Sequence, residues 1–430
     1  LNTTSACSWS HDSIFRLPLW VHAVYRSTDY LKFIHPHLVV EESMTTLVEG
    51  ILILLIIGSI AFYLACAFFT WQFFWRDTGN SIQNSKFKIQ NSPTSLPPVS
   101  ILVPVCGIDA GAWENWSSLC TQNYPDFEVL FGVTDPKDPS IPVLKQLVAK
   151  FPERVYLFSG LEPRGINYKD SNLSYLLEKA KHEVIIFADS DIRVHPNYIQ
   201  TVTVPLAESK VGLVTCAFIG YNPKELGAAI ASMGRCFDFI PSLLIARVLD
   251  GGLRCAVGAT IATRRSTLEQ YGGLHLNRIG SDYNLGKRAA AAGYKVELSR
   301  YVLESDTGSE TVTQVFQREL RWARTIRYNR GFQYYSMLFC FGTVYCLPLL
   351  VLSGFASWAI VLSLTTFIVR YLQILVAIFS TGCPGLLRWL WVMPIRDLLS
   401  FMIWSMGSFG QSVYWRGRRL RIEGDGLITQ

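Results

Sequence analysis

Ten cysteines are spread through the chain without one Cys-x-x-Cys pair, and none of its seven histidines falls at zinc-ligand spacing. A structural zinc site is therefore not expected. The cysteines read instead as reduced, mostly buried small hydrophobes, which favours a reducing compartment for the central domain. Charge is sparse as well, at 17% of residues with a net of +6. No basic and aromatic interleaving dominates a domain, so a nucleic-acid partner is not expected. Residues 1–43 lack both hydrophobic periodicity and the layout of a signal peptide. The first residue is Leu, and Met44 directly precedes a hydrophobic run. Met44 is thus the expected start, with residues 1–45 a polar leader that is disordered or not native.

What the chain has in excess is apolar surface. Half of its residues are hydrophobic and the mean hydropathy is +0.25, above the usual value for a soluble enzyme, which implies membrane spans added to a globular domain. Residues 50–75 carry no charge at all. That exceeds the ~20 apolar residues a spanning helix needs, and residues 46–76 are read as a transmembrane helix. Trp71, Trp75 and Arg76 mark its cytoplasmic interface. Residues 77–98 form a polar linker with a small repeat, Ile82-Gln83-Asn84-Ser85 and Ile89-Gln90-Asn91-Ser92.

From 99 to 330 the pattern is α/β. Strand-like apolar runs at 99–105, 127–133, 155–159, 184–188 and 211–216 are separated, over the first four, by helical stretches at 112–122, 141–151 and 171–181. The alternation implies a mainly parallel sheet, with ligands beyond the carboxyl ends of the strands. Charge disappears again over 331–369. Two spans are expected within 331–380, near 333–353 and 356–380, with Arg370 toward one end and able to snorkel. The last apolar stretch is interrupted by Arg388, Pro394, Arg396 and Asp397, and a basic tail follows Trp415. Residues 381–430 are therefore read as an interfacial or re-entrant segment plus that tail. Three spans with an outside N-terminus leave the α/β domain and the tail in the cytoplasm.

The carboxylates fall where such a sheet binds ligands. Asp189-Ser190-Asp191 ends the run 184–188. Two acids one residue apart at a strand mouth can hold a hard divalent cation that neutralises a diphosphate; the plain alternative is a helix cap followed by a solvated acid. Asp135 closes the run 127–133. Asp282 precedes an Ala-rich helical run, where it can serve as a general base or merely as an N-cap. Arg318, Arg321 and Trp322 lie in a helical stretch, the arginines offering donors to phosphate and the Trp a flat apolar surface for a sugar or lipid chain. Arginines recur at 318, 321, 324, 327 and 330, but Glu319 and Asn329 make this stretch too polar to span.

Several ordered segments carry a family resemblance. The strand starting at Val99, and Gln122-Asn123-Tyr124-Pro125-Asp126-Phe127, resemble the opening strands of the processive and lipid-modifying inverting glycosyltransferases. Gly107-Ile108-Asp109, Val133-Thr134-Asp135-Pro136-Lys137-Asp138-Pro139 and Gly165-Ile166-Asn167-Tyr168-Lys169 are similar to ceramide glucosyltransferases and their bacterial relatives, including those acting on hopanoid lipids. Asp189-Ser190-Asp191, then 211–214, then Arg-x-x-Arg-Trp at 318–322 follow in the same order. The resemblance spans roughly residues 50–421. It implies a GT-A-type, mainly parallel α/β domain inserted between transmembrane helices, and a metal-dependent hexosyltransferase. A UDP-sugar, with UDP-glucose favoured, would be the donor, and a membrane lipid such as ceramide the acceptor. It further implies that Asp135 and Lys169 contact the nucleotide-sugar and that Asp189 and Asp191 bind Mg²⁺ or Mn²⁺. Asp282 would be the base, and Arg318, Arg321 and Trp322 would line the donor diphosphate and acceptor entrance. Transfer of N-acetylglucosamine or another sugar to a hopanoid stays open beside it. A processive polysaccharide synthase also stays open, although it usually needs more spans than the two clear ones after the Arg-Trp motif. A non-catalytic membrane scaffold is disfavoured by the intact Asp135, Asp189, Asp191 and Asp282.

Overall fold

The computed structural model describes residues 36–76, 96–109, 111–221, 223–305 and 310–429, with side chains from Met44 onward. Most of the polar leader and of the linker lie outside the described residues. The central sheet has eight strands: β1 (Val99–Val105), β2 (Phe127–Val133), β3 (Val155–Ser159), β4 (Val184–Ala188), β5 (Ile192–Arg193), β6 (Val211–Gly220), β7 (Thr260–Arg264) and β8 (Lys295–Ser305). Their order is β3-β2-β1-β4-β7-β6-β8-β5. The first four are parallel, in the register Val99 opposite Phe127 and Val184. β7 then runs antiparallel to both β4 and β6, while β6 and β8 are parallel. Every residue of β2 and β4 is buried. Continuous Val, Ile, Leu and Phe runs suit strands covered on both faces, which is why these strands are visible as unbroken apolar stretches.

The helices are α1 (Pro36–Trp71), α2 (Ala112–Cys120), α3 (Ile141–Lys150), α4 (Tyr168–Lys179), α5 (Tyr198–Thr203), α6 (Leu226–Met233), α7 (Ile240–Leu249) and α8 (Arg265–Gln270). They continue as α9 (Ser281–Ala291), α10 (Val312–Arg330), α11 (Gly342–Leu352), α12 (Ser357–Thr381) and α13 (Met393–Gly407). Helix α4 starts three residues earlier than the apolar pattern suggests. The Asn167 side chain caps it by accepting from the Asp170 N–H, and so Lys169 and Asp170 are drawn into its first turn.

Among the described residues three helices are long and apolar enough to cross a membrane: Met44–Arg76, Leu226–Leu249 and Ser357–Thr381. The first belongs to α1, which begins at Pro36, inside the segment read as leader. The second joins α6 and α7 through a π-helical turn at Gly234–Phe239 and is mostly enclosed by the rest of the protein. The stretch near 333–353, expected to hold a span, is a 3-10 segment (Gly331–Cys340) followed by the eleven-residue α11. The arginine-rich α10 with that segment meets α11 at a bend of 57°.

Arg370 does not snorkel. Its side chain is 4% exposed, and it pairs with Asp397 at 2.6 Å and Asp238 at 2.8 Å. Arg396 extends the network to Asp238 at 3.3 Å and to Glu319 at 2.7 Å. Thr343 donates to Asp397 at 2.7 Å, and the Arg370 guanidinium lies 5.0 Å over the Tyr63 ring of α1. Pairing inside the bundle replaces the water that an arginine would otherwise seek at the interface, because α12 packs against residues that carry the opposite charge.

The tail is also ordered. It forms a three-stranded antiparallel sheet of β9 (Ser412–Trp415), β10 (Arg418–Ile422) and β11 (Ile428–Thr429). Val413, Leu420, Ile422 and Ile428 bury themselves against Ile279. Arg278 pairs with Asp425 at 2.7 Å, so the tail packs directly on the α/β domain.

Candidate active site

The carboxyl end of β4 sets the centre of the site. Asp189 follows Ala188, its N–H donating to the Ala259 carbonyl at 3.1 Å, and the Trp116 indole holds the Ser190 carbonyl at 3.0 Å. Lys169, from the first turn of α4, is ion-paired with Asp189 and donates to the Gly258 carbonyl at 3.4 Å. Asp191 accepts from the Ser305 hydroxyl at 3.2 Å, and Ser305 in turn takes a hydrogen bond from buried Arg235 at 3.2 Å.

Asp282 reaches the same place from α9. Gly280, at φ 63°, caps that helix with no side-chain cap bond, so the Asp282 carboxylate is not spent as an N-cap. A methyl group on Gly258 would stand 2.6 Å from Asp282 Oδ2. Only a glycine therefore lets the Gly258 backbone lie between Lys169 and Asp282. The electrostatics follow from this crowding. Burial, together with Asp191 and Asp282, raises the Asp189 pKa against the pull of Lys169. Burial disfavours the Lys169 ammonium, but Asp189, Asp282 and Asp170 outweigh it and raise its pKa.

Other predicted residues sit around this centre. Asp135 is exposed two residues beyond β2, on the same edge of the sheet, where it accepts the Lys137 N–H at 2.8 Å. Arg318 is ion-paired with Glu310 and stacks 5.1 Å over Trp322, which is half-buried. Arg321 lies 5.6 Å over Trp415. Burial, then the neighbouring Arg318 guanidinium, lowers its pKa to about 10, with Asp282 opposing. Among the described residues no group of three or more His, Cys, Asp or Glu is placed to hold a metal ion. Asp189 and Asp191 offer two carboxylates, a set that fits Mg²⁺ or Mn²⁺ only when phosphate oxygens and water complete the shell.

The model of glycosyl transferase family 21 matches residues 51–428. The chain belongs to that family. Ceramide glucosyltransferase 1 of Caenorhabditis elegans is 28% identical to this family 21 member over 249 residues, covering 57% of this chain and 53% of the worm protein. Ceramide glucosyltransferase 3 of the same organism is 26% identical over 263 residues, 57% and 54% of the two chains. The chain thus spans about half the length of these relatives. Ceramide glucosyltransferase of Candida albicans is 30% identical over 135 residues, 27% of this chain and 25% of that one. Among solved structures, the mannosyltransferase PcManGT from Pyrobaculum calidifontis, in complex with GDP-Man and Mn²⁺, is 16% identical with a TM-score of 0.45, over 82% of this chain and 99% of that one. The α/β domain of this family 21 protein is carried with helices long and apolar enough to cross a membrane.

Two acids near the site of this family 21 protein were not singled out from its sequence. Asp170 is buried between Asn167, which donates to it at 2.7 Å, and the Ser281 side chain, and burial above all pushes its pKa up to about 7. Its only sequence signal is the Asn three residues earlier that could cap a helix starting at Tyr168. Asp138 braces the loop after β1 by accepting the Gly107 N–H at 2.8 Å. Hydrogen bonds from Ser140 and Gly107 overcome burial and hold its carboxyl below the usual range.

Proposed function

We propose that this family 21 member transfers a hexose from a UDP-sugar, UDP-glucose being favoured, to the hydroxyl of a membrane lipid such as ceramide, with inversion at the anomeric carbon. The observation that carries the reading is the convergence of Asp189, Asp191 and Asp282 with Lys169 at one mouth of the sheet. The helices α1 and α12 of the same protein expose Leu54, Ile57, Val361 and Ile368 to their surroundings, as a bilayer requires. The names of the worm and yeast relatives point to the same acceptor.

In this reading Asp135 holds the nucleotide. Asp189 and Asp191 would hold Mg²⁺ or Mn²⁺, which would supply positive charge against the diphosphate as a leaving group. Asp282 takes the proton of the acceptor hydroxyl as that oxygen bonds to the anomeric carbon. The bond from that carbon to the diphosphate oxygen breaks on the opposite face, and UDP departs with both electrons. Lys169, Arg318 and Arg321 face the charge left on UDP. Trp322 offers its ring to the sugar or lipid chain at the entrance. The α/β domain and tail face the cytoplasm, the side expected to carry the basic residues after Trp415.

The test is transfer from radiolabelled UDP-glucose or UDP-N-acetylglucosamine by the purified protein in lipid bilayers doped with ceramide or a hopanoid. Label is expected in ceramide from UDP-glucose. Label in no lipid rejects the reading, and label in the hopanoid alone moves the acceptor.

A further inference from the structure

The tail hairpin reaches the mouth of the site from the other end of the chain. β9 and β10 pair with Trp415 opposite Arg418, which leaves Arg416-Gly417 as a two-residue turn. Both turn residues have left-handed φ, 49° and 76°, as a type I′ turn demands. Gly417 adopts that conformation freely. An arginine in it is uncommon, and such positions cluster where the side chain has a task.

The Arg416 side chain points to where ligands of parallel sheets bind. Its Nη1 donates to the Cys106 carbonyl at 3.3 Å, one residue beyond β1. It lies close enough to Asp138 to help keep that carboxylate charged, after the hydrogen bonds already described. Arg418, on the strand leaving the turn, sits 4.0 Å over the Tyr168 ring and donates to the Ile166 carbonyl at 3.0 Å. Arg418 Nη2 is buried without a protein partner, and so are Nε and Nη2 of Arg318 on α10. Arg321, over the Trp415 ring beside the turn, feels both segments, Arg318 and Arg416 each disfavouring its charged form. Guanidinium groups from two remote segments are thus gathered against their mutual repulsion, with buried donors unsatisfied. A polyanion relieves both costs at once.

We infer that the tail hairpin is part of the donor site, with Arg416 binding the diphosphate of the nucleotide-sugar and Arg418 bracing the Ile166–Tyr168 wall beside it. The assignment rests on the nucleotide-sugar reading above. It gives the basic tail a role in substrate binding beyond the side of the membrane it occupies.

UDP binding to the full chain in detergent micelles, measured by titration calorimetry, tests it. Arg416→Gly removes the guanidinium while suiting the left-handed turn, so the hairpin should persist and the melting temperature should not fall. Arg419→Ala, exposed on the same strand, is the control. The expected result is a loss of roughly tenfold or more in UDP affinity for Arg416→Gly, the scale of a charge-assisted hydrogen bond. Arg416→Lys should recover part of the loss, and Arg419→Ala should bind like the parent. In transfer assays the KM for the UDP-sugar should rise while that for the lipid stays put. Unchanged UDP affinity in Arg416→Gly overturns the role of the tail alone, as does an equal rise in both KM values, which would mean a detached tail. A parent that binds no UDP overturns the nucleotide reading and this assignment together.

Discussion

Replacing Arg370 by Met isolates a charge in the helical bundle. Asp397, only 2% exposed, receives Arg370 at 2.6 Å, and Thr343 adds a single neutral hydroxyl. The other nearby carboxylate, Asp238, keeps Arg396 when Arg370 is gone, but Asp397 keeps no cation from this network. Breaking a buried pair by removing one partner costs about 3–5 kcal/mol, whereas replacing both by apolar residues is often neutral. Arg370→Met should therefore destabilise by that amount, and Arg370→Met combined with Asp397→Leu should recover most of it. The assay is loss of folded protein on heating in detergent at a fixed scan rate, since membrane proteins of this size seldom unfold reversibly. The reasoning fails if Arg370→Met melts with the parent, or if the double variant melts no higher than the single one.

Asp282→Asn should fold, and bind UDP like the parent, yet lose roughly 10²-fold or more in turnover, the scale of general-base catalysis; near-parent turnover would assign the proton to another group. Exhaustive chelation with EDTA should abolish transfer and added Mg²⁺ or Mn²⁺ should restore it, while full activity after chelation refutes the role given to Asp189 and Asp191. Gly258→Ala should impair turnover more than stability, because the new methyl group meets Asp282 Oδ2 at 2.6 Å; unchanged kcat would show that the carboxylate moves aside at no cost. Asp170 ionises in the unfolded chain near 3.8 but only at about 7 when folded. Between those values the folded state holds the extra proton, so this group's contribution to stability falls as pH rises from about 4 to 7. Asp170→Asn should flatten that slope in melting scans, and an identical slope in both proteins would remove Asp170 as its source.

The parallel half of the sheet could be read from the chain because strands covered on both faces are written as unbroken apolar runs. β7 and β8 escaped notice for the opposite reason. Thr260, Thr263 and Arg264 in one, and Lys295, Glu297 and Arg300 in the other, break the run with polar side chains, some of whose partners lie far along the chain. Thr263, for instance, donates to the Gly212 carbonyl at 2.8 Å across 51 residues. At the candidate site, the paired acids after β4 were legible because a strand mouth with two carboxylates is a local pattern. Asp170, Arg416 and the buried state of Arg370 were not. Each depends on a residue more than a hundred positions away along the chain: Ser281 for the first, Cys106 for the second and Asp238 for the third. Burial of a charge is a property of the folded neighbourhood, and no short window of sequence contains it.

The ionic network also bears on how the protein is made. An arginine in the middle of a lone hydrophobic helix resists entry into a bilayer by about 2.5–3.5 kcal/mol. For Arg370, one counter-charge, Asp238, is synthesised 132 residues earlier, in a helix joined to the α/β domain. The other, Asp397, follows 27 residues later. Stable insertion of α12 is therefore tied to the domain that precedes it and completed only by the helix that follows. Truncation after α12 should leave a segment that inserts poorly, because it removes Asp397 while leaving the span itself intact.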